Sequence, residues 1–164
     1  MSERDERFEQ AALAVGLDPR AEIKIGGHYT PVLCAGSEVW ISGQIPRVGD
    51  VVRHVGALGA GLSLAEGQLA ARTCGLRALA LLQRELGSLD RVAQVLRLTV
   101  YVRSAPDFTQ HSEVADGVSD LLAEVLGPAG LHTRTSVGVA QLPKGAGVEV
   151  DLVVRVTEAG ADCA

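Results

Sequence analysis

Residues 63–103 constrain the fold most. Ser63-Leu64-Ala65-Glu66 is a capping box: the Ser side chain accepts from a first-turn N–H, and Glu66 reaches back to the Ser63 N–H. A helix is predicted from there to about Leu86, with Leu69, Leu76, Ala80 and Leu81 facing inward and Gly87 as its stop. The next segment, AQVLRLTVYVR at 93–103, changes period. It alternates around Val95, Leu98, Val100 and Val102 and reads as a strand.

The remaining segments fall into place around this pair. Residues 3–16 read as a short amphipathic helix with Phe8, Ala11, Ala12 and Val15 on one face. Strands are predicted from about Thr30 to Ala35 and from Glu38 to Ser42, with Gly36-Ser37 as the hairpin turn. Residues 43–62, with Pro46 and five glycines, read as a long irregular loop. Asp107 is placed as the cap of a second helix over roughly 108–126, which Gly127-Pro128 ends. Two last strands are expected at 135–141 and 147–157, around a turn at Pro143, Lys144 and Gly145. The order is β-β-α-β-α-β-β after an extra helix.

Composition sets the class. At 164 residues, with 47% hydrophobic and 21% charged, the chain is expected to form one domain with a sizeable core and no intrinsic disorder. Aromatics are only 3%, so the core is built from Leu, Val and Ala. A net charge of −5 gives no electrostatic drive toward phosphate backbones, so no nucleic-acid partner is expected. No run of 18 apolar residues occurs, so no membrane span is expected. The charged start MSERDERFEQ lacks the apolar core of a signal peptide, so the expected compartment is the cytoplasm. Cys34, Cys74 and Cys163 form no C-x-x-C pair, and His28, His54 and His111 have no metal-ligand spacing. No metal and no cofactor are expected, and Cys34 and Cys74 are read as small core residues.

Four segments carry a resemblance. Trp40-Ile41-Ser42-Gly43-Gln44-Ile45-Pro46 is followed downstream by Arg134-Thr135-Ser136-Val137-Gly138-Val139-Ala140, then Leu142-Pro143, then Val148-Glu149-Val150. In this order and spacing the chain resembles the Rid/YjgF proteins. These are reactive-intermediate (enamine/imine) deaminases, also labelled L-PSP endoribonucleases. The N-terminal helix and the segment Asp116-Gly117-Val118-Ser119-Asp120-Leu121-Leu122 resemble a longer subgroup of that family. The resemblance implies an α+β, chorismate-mutase-like domain over 28–157, preceded by a helix and lead-in at 1–27 and followed by a tail at 158–164. It also implies a homotrimer with active sites in clefts between subunits.

The implied chemistry is hydrolysis of a short 2-imino or 2-enamino acid to the 2-oxo acid and ammonium. Arg134 is the implied holder of the substrate carboxylate, since a guanidinium presents a planar fork to it. Glu149 is the implied group that orients the hydrolytic water. Its alternation with Val148 and Val150 turns it away from those apolar neighbours. Tyr29, Ser42, Gly43 and Ser136 complete the expected substrate-binding set. Ser42 lacks a base at nucleophile spacing, so it reads as a hydrogen-bond donor. Two positions depart from the family: Ser136 stands where many members carry Cys, and Leu131-His132-Thr133 stands where a Pro is common. His132 reads as a surface residue before a strand. The alternative reading is a trimer that binds small carboxylates or partner proteins without catalysis.

Overall fold

The computed structural model describes residues 1–157; the tail expected at 158–164 lies outside the described residues. In chain order the elements are α1 (Glu3–Ala14), β1 (Val32–Ala35), β2 (Glu38–Gln44), β3 (Arg47–Val48), β4 (Val51–Val52), β5 (Ala57–Leu58), β6 (Gly61–Leu62), α2 (Leu64–Leu86), β7 (Val92–Arg103), α3 (His111–Leu126), β8 (Thr133–Val139) and β9 (Val148–Val156). Five strands form one sheet in the order β1-β2-β9-β7-β8. Within this sheet only β7 and β8 run parallel, with α3 as their crossover; its other pairs are antiparallel. The stretch expected as an irregular loop holds two short strand pairs, β3 with β4 and β5 with β6.

All three helices contribute to one core. Phe8 and Ala12 of α1 are fully buried beside Leu76, Leu79 and Leu82 of α2 and Val118, Leu121 and Leu122 of α3. The sheet adds Leu98, Val100 and Val102 from β7 and Val148, Val150 and Leu152 from β9. This leucine, valine and alanine core is what an aromatic-poor chain allows. The capping box at Ser63 is present, with Ser63 N donating to Glu66 at 2.8 Å, and Gly87 ends α2 in the left-handed region at φ 79°.

Several expectations need correction. Leu69 does not face the core; it is 43% exposed, between the buried Gly67 and Ala70 of α2. Asp107 does not cap α3, which starts at His111 after Gln110, a residue making no side-chain cap bond. Cys34 packs half-buried against the core from edge strand β1, whereas Cys74 is fully buried. The Val95-to-Leu98 step breaks strict alternation because β7 carries register irregularities between Val92 and Gln94 and between Val95 and Arg97.

The α2–α3 contact depends on Gly117. A Cβ there would sit 2.1 Å from the backbone oxygen of Gln68, so the two helices meet at a distance only glycine permits. That contact accounts for the glycine of the Asp116-Gly117-Val118-Ser119-Asp120 segment. The flanking Asp116 and Ser119 are left to face β8.

Candidate functional site

The site is built by a bulge. Ile41 pairs with Leu152 and Gln44 with Val150, so β2 spends three steps where β9 spends two. The extra residue falls at Ser42-Gly43, at the point where Glu149 of β9 leans across. A Cβ on Gly43 would lie 2.2 Å from Glu149 Oε1. Glycine is therefore required for the carboxylate to rest there. Gln44 is buried and donates through Nε2 to Ser42 O at 3.2 Å, which fixes the bulge.

A cleft of about 330 Å³ opens over this bulge. Tyr29, Ser42, Gly43 and Glu149 line it, so four of the six site residues expected from sequence come together in one chain. Burial raises the Glu149 carboxyl above the ordinary range, and the nearby Asp151 charge adds to this. A half-buried carboxylate lining a cleft is placed to exchange a proton with a water or ligand bound there.

Sequence reasoning missed the cationic wall of the same cleft. Lys24, Arg47, Arg77 and Lys144 line it. Arg77 is only 4% exposed; it donates to the backbone oxygens of Arg47 at 3.0 Å and Lys24 at 3.2 Å. Burial lowers its pKa. The signal was present in the sequence: Arg77 is a cation inside the apolar run Cys74–Leu82, on the buried face of a strongly patterned helix. Cys74, one turn before it, is no nucleophile candidate. Burial pushes its thiol well up, and its Sγ donates to Val148 O at 3.6 Å.

Arg134 and Ser136 are not in this cleft. Both stand on β8, at the far edge of the sheet from β1. The Arg134 guanidinium is held by α3. Its Nη1 donates to Asp116 at 2.8 Å and to Ser119 at 3.0 Å, and its Nη2 donates to Ser112 Oγ at 2.7 Å and Ser112 O at 3.2 Å. The Nη1 bonds are partly buried; the Nη2 bonds are exposed. His132 is half-buried rather than a free surface residue. It lies 2.9 Å from Ser119 Oγ and 2.6 Å from Gly130 O, bracing the turn that leads into β8.

The sheet face away from the helices is open. Leu33, Trp40 and Val137 stand 58%, 50% and 39% exposed on it, beside a polar pair in which Tyr101 donates to Asp151 at 3.1 Å. The described residues hold no group of three or more His, Cys, Asp or Glu able to bind a metal ion. No described helix is long and apolar enough to cross a membrane.

Residues 9–154 match the family model described as "YjgF/chorismate_mutase-like, putative endoribonuclease". The chain belongs to this family. It is 48% identical over 132 residues to Protein TCP17 of Trypanosoma cruzi, covering 79% of this chain and 81% of that protein. The crystal structure of the protein Atu1372 from Agrobacterium tumefaciens, of unknown function, matches with a TM-score of 0.84 at 31% identity, over 94% of this chain and 95% of that one. The structure of E. coli TdcF with bound serine matches in fold, with a TM-score of 0.55 at 23% identity over 85% of this chain and 95% of that one. The α+β, YjgF/chorismate mutase-like fold expected from the sequence is the fold observed.

Proposed function

We propose that this protein hydrolyses short 2-imino or 2-enamino acids to 2-oxo acids and ammonium, in a cleft completed by neighbouring copies of a homotrimer. The observation that carries this reading is the half-buried Glu149 carboxylate lining the cleft beside the Gly43 bulge. A carboxylate placed there can take a proton from water as its oxygen adds to the C=N carbon of an iminium acid. Glu149 then gives that proton to the carbinolamine nitrogen and takes the hydroxyl proton as the C–N bond breaks, leaving the 2-oxo acid; that proton passes to the departing ammonia, which leaves as ammonium. Positioning and general acid–base catalysis together supply the rate gain, so the step asks for no cofactor.

Assembly explains why Arg134 lies apart from Glu149. Arg134 and Ser136 sit on an edge strand, and the open sheet face with Trp40 and Leu33 calls for cover. A second copy packed there brings a β8 edge toward the Glu149 cleft. Asp116 and Ser119 keep Nη1 in place, while Nη2 exchanges its exposed bonds to Ser112 for a substrate carboxylate. The Nε–Nη2 edge of the guanidinium then forms the two-bonded fork. That TdcF binds serine, a small amino acid, accords with a small carboxylate ligand for this fold.

The test is turnover of 2-aminoacrylate, generated in place by a serine-consuming dehydratase, followed as pyruvate and ammonia release. Acceleration over the enzyme-free rate supports the reading. Calorimetric binding of 2-oxobutyrate with no acceleration replaces it with a trimer that binds small carboxylates without catalysis.

A further inference from the structure

The cleft holds more positive charge than a monocarboxylic substrate uses. Arg77 and Arg47 make no ion pair among the described residues, and neither does Lys144 at the rim. Lys24 is already paired with Asp50. The Nε atoms of Arg77 and Arg47 are both buried without a hydrogen-bond partner. A buried cation whose only partners are neutral carbonyls keeps an uncompensated charge, and such a charge is costly unless a counter-charge arrives. Among the described residues the one carboxylate lining the cleft is Glu149, and it makes no ion pair with these cations.

We propose that the side chain of the substrate carries a second carboxylate, which binds against Arg77, Arg47 and Lys144. The preferred substrates are then imines of acidic amino acids, and the products are 2-oxo dicarboxylates. The inference rests on the reading that imines are hydrolysed over Glu149, and it names their class. Arg77 supplies the fixed charge, because its guanidinium is pinned by two backbone oxygens and loses little freedom on binding. Lys144 is exposed and held at φ 59° in the turn before β9, where it can close over the ligand.

The experiment is calorimetry on the full chain with 2-oxobutyrate, 2-oxoglutarate and inorganic phosphate as separate probes. Wild type is expected to bind 2-oxoglutarate at least about tenfold more tightly than 2-oxobutyrate, from one further charge-assisted contact. Lys144→Gln, on an exposed turn, is expected to lower this preference about threefold, and Arg77→Met to abolish it. Arg77→Lys is expected to keep part of it. If Arg77→Met does not fold, Arg47→Gln takes its place, with a several-fold loss of preference expected. Equal binding of the two oxo acids by wild type, or a preference untouched by all these variants, overturns the proposal. Phosphate binding as tight as that of 2-oxoglutarate overturns the dicarboxylate assignment. Failure of the parent reading looks different: the dicarboxylate preference and its loss in the variants remain, while no imine is turned over.

Discussion

Replacing Gly43 by alanine separates the site from the fold. The new Cβ would lie 2.2 Å from Glu149 Oε1, 3.0 Å from Cδ and 3.3 Å from Cγ. All three contacts are with a flexible side chain, and the Gly43 φ lies outside the left-handed region, so the backbone accepts alanine. The carboxylate must swing away by about an ångström or more. An off-rotamer Glu149 costs about 0.5–1.5 kcal/mol. The lower entropy of alanine in the unfolded chain returns about 0.4–1 kcal/mol. Net stability should therefore change by less than about 1 kcal/mol, read as a nearly unchanged urea midpoint. Turnover should fall about 10²-fold, because a catalytic group misplaced by about an ångström loses that much. The assay pairs urea unfolding with pyruvate release from 2-aminoacrylate. Wild-type turnover in a normally folded Gly43→Ala protein would refute the claim that Glu149 acts from the position the bulge creates.

Other perturbations probe different parts of the account. Burial alone would raise the Asp5 carboxyl, but bonds from the Leu89 N–H, Ser88, Gln83 and Ser2 hold it at about 2 against an ordinary value of 3.8. Its stabilisation, about 2 kcal/mol, is therefore full above pH 3.8 and is lost as pH falls toward about 2; Asp5→Asn should flatten that part of the pH–stability curve measured by urea unfolding. Gly117→Ala places a Cβ 2.1 Å from backbone that cannot swing aside, so chemical denaturation should show a loss of about 1–3 kcal/mol. Light scattering should give a trimer, and a 17.1 kDa monomer at micromolar concentration would contradict the shared cleft. With a net charge of −5, highly purified protein should show no saturable RNA binding and no RNA cleavage in gel assays at physiological salt.

Local signals carried the fold. The Ser63 capping box, the Gly87 stop, the Gly36-Ser37 hairpin and the alternation of β7 are short-range patterns, and each produced the expected element. The failures have long-range causes. Leu69 fits the helical period, but it falls on the exposed side of α2, between the buried Gly67 and Ala70. Asp107 is a good cap residue, but α3 starts one turn later, at His111. The pairing of β3 with β4 and of β5 with β6 within a glycine-rich stretch depends on neighbours that sequence periodicity does not show. At the site, the resemblance named Gly43 and Glu149 separately but gave no contact between them, because a bulge appears only in the register between β2 and β9. The cationic wall was harder still. Lys24, Arg47, Arg77 and Lys144 come from four separate segments, and only Arg77 stands out in sequence as a charge on an apolar helix face. The bonds from Asp116 and Ser119 to Arg134 likewise join two segments that no local pattern connects.

The central claim is that Glu149 acts on water while Arg134 holds the substrate carboxylate, and one paired measurement tests it. Turnover of 2-aminoacrylate and calorimetric binding of 2-oxobutyrate are measured together for wild type, Glu149→Gln and Arg134→Ala. Glu149→Gln keeps the shape and removes the base, so turnover should fall by about 10²–10⁴ with binding nearly unchanged. Arg134→Ala should weaken binding by about tenfold or more as well as lower turnover, since it removes charge-assisted hydrogen bonds worth about 1.5–3 kcal/mol each. Equal oxo-acid binding by Arg134→Ala and wild type, or full turnover by Glu149→Gln, would contradict the account.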